Sequence, residues 1–204
     1  MRDLLKWHNG IKKWGYMMIS AVLDANVLYS ASLRNLLLCF AERRLFCPVW
    51  SEEIHDEWMR NLLRNRPDLK RENIERTRRK MDFHFPNSLV RGYEPIITTL
   101  TLPDPNDRHI LAVAIHAKAK YIVTFDLNHF PSTILLPYKI EAMSPEEFVL
   151  QLIGLAPLPV LEAVKKHRLS LTRPPKTVDE YLATLERQGL AKTAAFLRKQ
   201  KDSI

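Results

Sequence analysis

Two short apolar runs each end in an aspartate: Ile19-Ser20-Ala21-Val22-Leu23 before Asp24, and Tyr121-Ile122-Val123-Thr124-Phe125 before Asp126. Each is too short for a buried helix, and a near-continuous apolar run is the pattern of a strand covered on both faces. Helical and strand patterns alternate between and around them. The sequence predicts a helix over about Leu33–Arg44, a strand at Phe46–Trp50 and a helix from Ser51 to about Asn65, with Pro67 as its stop. Ser51 is a natural N-cap, and Glu52 and Glu53 fall in the first turn, where the helix dipole favours anions. A charged helix over about Asp68–Phe83, a strand at Ile96 and Ile97, a turn at Pro103–Asp107, a helix over about Asp107–Lys118 and a strand at Lys139–Met143 follow. Alternation of this kind points to an α/β fold with a central parallel sheet covered on both faces.

The pattern changes at Ser144. Ser144-Pro145-Glu146-Glu147 combines an N-cap, a proline at the first helical position and a capping-box glutamate, and Thr177-Val178-Asp179-Glu180 is a second capping box. Helical patterns fill about 145–153, 157–169, 177–188 and 190–200, so an all-helical extension is expected over 144–204 after an α/β domain over 19–143. With 204 residues, 46% of them apolar and 26% charged, a packed core is within reach and wholesale disorder is excluded. Residues 1–18 carry Trp7 and Trp14 among four basic residues, without an apolar signal-peptide core, and are expected to be an extension outside the fold. No segment reaches the roughly 18 apolar residues of a membrane span. Cys39 and Cys47 lack zinc-knuckle or redox spacing, so a reducing, cytoplasmic setting is expected.

Ligands of open parallel sheets bind outside the carboxyl ends of the strands, so Asp24 and Asp126 should face one crevice, although an Asp after a strand is also an ordinary turn former. Asp107 begins a helix that is apolar nearly all round, with Ile110, Leu111, Val113 and Ala114, so its carboxylate points into protein and needs a partner unless it merely caps the helix. Glu57 flanks the Ile54, Trp58 and Leu62 stripe of its helix, with His55 and Asp56 on the far side; it is either solvated or directed along the crevice edge. Four converging carboxylates would repel, each like-charged pair at ~4 Å and an effective dielectric of ~20 costing about 4 kcal/mol. Cations relieve that cost. Oxygen-only ligands suit hard ions, Mg²⁺ or Mn²⁺, and together with a basic surface they imply metal-assisted hydrolysis of a phosphodiester.

Leu23-Asp24-Ala25-Asn26-Val27-Leu28, Ser51-Glu52-Glu53-Ile54 with Glu57, Asp104-Pro105-Asn106-Asp107-Arg108-His109, and Ile122-Val123-Thr124-Phe125-Asp126 with His129-Phe130 together resemble a PIN-domain ribonuclease. The resemblance is to VapC-like toxins of type II toxin–antitoxin systems, over about residues 19–143, and the helical tail is similar to the C-terminal extension of one subgroup. It implies a three-layer α/β/α PIN fold and a metal-dependent endoribonuclease. Asp24, Glu57, Asp107 and Asp126 would be the catalytic and metal-binding acids, with Thr124 and Asn26 in support. Asp104 competes with Asp107 for the third place, and helical phase favours Asp107. Glu53 competes with Glu57, which lies six residues past Ser51, the usual family offset. The resemblance further implies an RNA substrate, a cognate antitoxin and a possible homodimer.

The net charge is +8, and the window from Arg60 to Lys80 alone carries +6, with nine basic and three acidic residues. Arg60, Arg64, Arg76 and Arg79 are the RNA-contact candidates; no aromatic residue falls in the window, so contacts would be to phosphates. The histidines are scattered, and none is assigned as a general base. Two rival readings are a haloacid-dehalogenase-like phosphatase, disfavoured because Asn26 stands where that family has a second Asp, and a non-catalytic RNA-binding adaptor, disfavoured because all four acids are present.

Overall fold

The computed structural model describes residues 19–204; the expected extension at 1–18 lies outside them. In chain order the elements are β1 (Ser20–Leu23), α1 (Ala25–Tyr29), α2 (Ala31–Glu42), β2 (Cys47–Ser51), α3 (Glu52–Asn65), α4 (Arg71–His84), β3 (Leu89–Val90), α5 (Glu94–Ile97), α6 (Arg108–His116), β4 (Tyr121–Val123), α7 (Ser132–Leu135), β5 (Glu141–Met143), α8 (Pro145–Leu155), α9 (Pro157–Ser170), α10 (Val178–Arg187) and α11 (Ala191–Arg198). The five strands form one parallel sheet in the order β3-β2-β1-β4-β5. β1 is central and fully covered: Ala21, Val22 and Leu23 expose nothing to solvent. This is the three-layer α/β/α architecture with a helical C-terminal extension.

Several elements differ from the sequence expectation; the charged helix expected from about Asp68 begins at Arg71. Ile96 and Ile97 do not form a strand; they lie in the short helix α5, where Pro95 takes one of the first helical positions, one that needs no amide donor. The strand of that region is Leu89–Val90, paired to Trp50 and Ser51. The helix expected from Leu33 begins earlier, and Ser30 divides it from α1 by accepting a hydrogen bond from the Leu33 amide while capping α2. His55 is also not on a solvated face. It is fully buried, with Nδ1 accepting from the Trp58 indole at 3.0 Å and Nε2 3.1 Å from Asp82, which also accepts from Trp50. Arg78 of α4 closes this network through Asp82, Asp56 and Glu52, so much of the basic window's charge is already paired.

Both capping boxes form, Ser144 with Glu147 and Thr177 with Glu180. The extension is packed onto the domain rather than tethered to it. Phe148 of α8 is fully buried, edge-on to Phe46 at 4.9 Å and beside Tyr121, whose hydroxyl accepts from Gln151 at 2.5 Å. Burying one such aromatic ring contributes about 2–3 kcal/mol. Glu146 of the same helix accepts from the Lys192 and Thr193 amides, placing an anion at the N-terminus of α11. Gly189, at φ +81°, ends α10 in the left-handed region, where Leu190 donates back to Leu185. A Cβ built there would lie 3.5 Å from Phe125, the residue before Asp126, so the extension abuts the loop after β4.

Within the extension, His167 is buried with Nδ1 2.9 Å from the Tyr181 hydroxyl, and burial pushes its pKa from 6.5 down to about 4. The folded value lies below the unfolded one, so stability present above pH 6.5 is lost as pH falls toward 4. The group should remove up to about 3 kcal/mol over that window. Chemical denaturation at pH 7 and pH 4.5 should show a smaller acid-induced loss in His167→Gln than in the wild type. An equal loss in both would contradict the assignment.

Candidate active site

The pairing of Leu23 with Val123 in the β1–β4 register makes Asp24 and Thr124 neighbours one residue beyond the strand ends. The Asp24 amide donates to Val123 at 3.1 Å, and the Thr124 hydroxyl donates to Asp24 Oδ2 at 2.5 Å. Two donors hold the Thr124 oxygen from the other side, the Asn26 side-chain amide and the Asp126 backbone amide, each at 3.0 Å. A hydroxyl has one proton, so these donors direct it to Asp24. The Asn26 amide also donates to Asp126 Oδ2 at 2.9 Å, while its carbonyl accepts from the Phe125 amide. One chain of hydrogen bonds therefore runs from Asp24 through Thr124 and Asn26 to Asp126.

Asp24 is 4% exposed. Burial raises its pKa from 3.8 to about 7; the Thr124 hydrogen bond opposes the rise, and the charges of Glu57 and Asp107 add to it. Asp107 is also raised, chiefly by burial, with His129 opposing and Asp104 and Glu57 reinforcing. Asp24, Glu57 and Asp107 thus share one electrostatic environment. Glu57 of α3 adds its charge to both of the other two.

Asp104 and Asp107 divide their work. Asp104 caps the 3₁₀ turn Pro105–Asp107 by accepting from the Asn106 amide at 2.9 Å. Asp107 makes no capping bond to α6, and its Oδ2 lies 2.7 Å from His129 Nδ1. Among the described residues, the ligand-type atoms within 4.8 Å of one another belong to Asp104, Asp107 and His129. Asp24, Glu57 and Asp126 lie outside that tight group: hydrogen bonds join Asp24 to Asp126, and mutual charge effects join Asp24, Glu57 and Asp107, without a single close cluster of all four expected acids. The donor set fits a hard divalent cation: carboxylates dominate, and Asp24, raised chiefly by burial and further by the charges of Glu57 and Asp107, is a group whose ionised form a bound cation would favour.

Two histidines join the site that residue types alone did not assign. His109, 5% exposed, sits between Glu53 (Nδ1, 3.7 Å) and Glu57 (Nε2, 3.6 Å), and among the described residues its Nδ1 makes no hydrogen bond. His129 is drawn upward in pKa by its bond to Asp107. The available signal was position: His109 follows Asp107 by two residues on an apolar helix, and His129 follows Asp126 by three. Of the four RNA-contact candidates, Arg60 and Arg64 are exposed on α3 and Arg76 and Arg79 on α4. Arg79 lies 3.9 Å from Glu75, and Arg76 donates to Asn73.

A parallel sheet covered on both faces by helices, with Asp24 and Asp126 linked at the carboxyl ends of its strands, defines the class, and the chain belongs to the PIN-domain family: the model "PIN domain" matches residues 20–128. A second model, "VapC50 C-terminal domain", matches residues 145–199, the helical extension. The chain is 39% identical over 74 residues to "Putative ribonuclease VapC50" of Mycobacterium tuberculosis (strain ATCC 25618 / H37Rv), over 34% of this chain and 43% of that protein. The match thus spans less than half of the relative's length. No solved structure matches the chain. The resemblance to VapC-like PIN proteins holds in both parts, and family membership displaces the dehalogenase-like reading. Among the described residues no helix is long and apolar enough to cross a membrane.

In the metal-free protein Asp24 is a liability for stability. Its folded pKa lies above its unfolded value, so the stability held below pH 3.8 is lost as pH rises through about 7. Asp24→Asn removes that titration and keeps the shape. Its melting temperature in EDTA at pH 8 should exceed the wild type's by at least about 4 °C. An unchanged or lower value would contradict the buried-charge account.

Proposed function

We propose that the protein is a metal-dependent endoribonuclease, the toxin of a toxin–antitoxin pair, acting in the cytoplasm. The observation that carries the reading is the buried Asp24, sharing its field with Glu57 and Asp107 at the sheet's carboxyl edge in a PIN fold. Asp24, Glu57, Asp107 and Asp126 would hold Mg²⁺ or Mn²⁺, with Asp104 alongside Asp107. Such an ion, when bound, lowers the pKa of water and neutralises charge on a phosphodiester.

The chain's own residues supply position. Thr124 fixes the rotamer of Asp24 through its single proton, and Asn26 ties Asp126 to the same hydroxyl. Burial of Asp24 keeps bulk water from competing for its oxygens. Phe125, half exposed beside Asp126, offers a ring on which a base can stack, a contact that tolerates any base. Arg60, Arg64, Arg76 and Arg79 would contact strand phosphates, in which case binding weakens with salt. The crevice also suits inhibition: an antitoxin supplying Arg or Lys would pair with its acids in place of a cation. Homodimer formation belongs to the same reading.

Purified protein should cleave single-stranded RNA with Mg²⁺ or Mn²⁺ and stop in EDTA. Asp24→Asn should lower the rate by at least about a hundredfold while remaining folded by circular dichroism. Metal-independent cleavage, or a fully active Asp24→Asn, would refute the proposal. RNA binding without cleavage in any divalent cation would favour an adaptor.

A further inference from the structure

Arg34 is a buried cation with no anion paired to it among the described residues. It is 5% exposed, on a helix whose neighbouring positions Leu33, Leu36 and Leu37 are core. Its Nη1 donates to the Leu28 carbonyl at 2.6 Å, its guanidinium lies 4.8 Å over the Trp58 ring, and its Nε has no partner among the described residues. Among the described residues no carboxylate forms an ion pair with it, and burial lowers its pKa to about 10. A buried charge is ordinarily paired. The carbonyl and the ring supply partial compensation only.

The same side chain lines a cavity of about 430 Å³ between α2 and α4, together with Asn35, Lys80 and His84. Its one acid, Glu42, is already paired with Lys166 at 2.6 Å. Lys80 forms no ion pair among the described residues. The cavity is therefore lined by Arg34, Lys80, His84 and Asn35, and its one carboxylate, Glu42, is held by Lys166. Lysine and arginine in this combination match a phosphoryl group, which takes several charge-assisted donors at once.

We propose that the α2–α4 cavity is an oxyanion site for a phosphoryl group, anchored by Arg34 and completed by Lys80. The phosphoryl group comes from a nucleic-acid strand or from a small phosphate, and the site's chemistry does not depend on the ribonuclease reading.

The test uses the full chain and inorganic phosphate, titrated against chloride at matched ionic strength, with affinity read by calorimetry and by the shift of the Arg34 Nε–H proton resonance. Saturable binding is expected, weakened about tenfold in Lys80→Ala and lost in Arg34→Met. Lys80 is exposed, so its variant stays informative should Arg34→Met fail to fold. A second arm measures a short RNA in the Asp24→Asn background. If Lys80→Ala weakens RNA and phosphate together, the strand supplies the group; if it weakens phosphate alone, a small phosphate does. Phosphate binding that is absent, or unchanged by Lys80→Ala, overturns the site and leaves Arg34 a purely structural residue, whatever the outcome for RNA cleavage.

Discussion

The hydroxyl of Thr124 has one proton and takes part in three hydrogen bonds. It accepts from Asn26 and from the Asp126 amide, and it can then donate only to Asp24. The β1–β4 register puts the two residues side by side, and the hydrogen bonds convert that adjacency into a fixed geometry. Much of the site depends on this arrangement. A carboxylate as buried as Asp24, with Glu57 and Asp107 adding like charge, is costly when ionised. The donor from Thr124 recovers part of that cost, and a divalent cation would recover more.

The extension is bound to the same region. Phe148 completes the core behind Phe46 and Tyr121, Ser30 bonds to Gln188, and Gly189 packs close to Phe125. Ser30 caps the helix that carries Arg34, and Phe125 precedes Asp126. The turn between α10 and α11 therefore meets both segments that leave the sheet edge. Removing it would expose apolar surface and loosen the loop that carries Asp126.

What was legible in the sequence was local. The two strand-end aspartates, the Ser51 cap and both capping boxes are signals written within a few residues, and the structure forms each of these local elements. The doublet Ile96-Ile97 looked like a strand because two apolar residues do not distinguish a period of two from one of 3.6; Pro95 was the better signal. His55 looked solvated because the partner of its Nε2 is tertiary: Asp82 is 27 residues away. His109 and His129 were legible only as neighbours of Asp107 and Asp126, and Arg34 not at all, since each gains its meaning from side chains brought together by folding. The division between Asp104 and Asp107 was partly readable: Asp-Pro-Asn-Asp marks a turn, and only the structure tells which carboxylate caps it.

The central claim is that Asp24 is a buried, electrostatically loaded carboxyl awaiting a hard cation. Carbon-13 NMR titration of its carboxyl, with and without Mg²⁺, measures this directly. The account predicts a metal-free midpoint near 7, set by burial and its acidic neighbours, that moves well below this value when Mg²⁺ is added. A midpoint at the ordinary 3.8, or one that Mg²⁺ leaves in place, would contradict it.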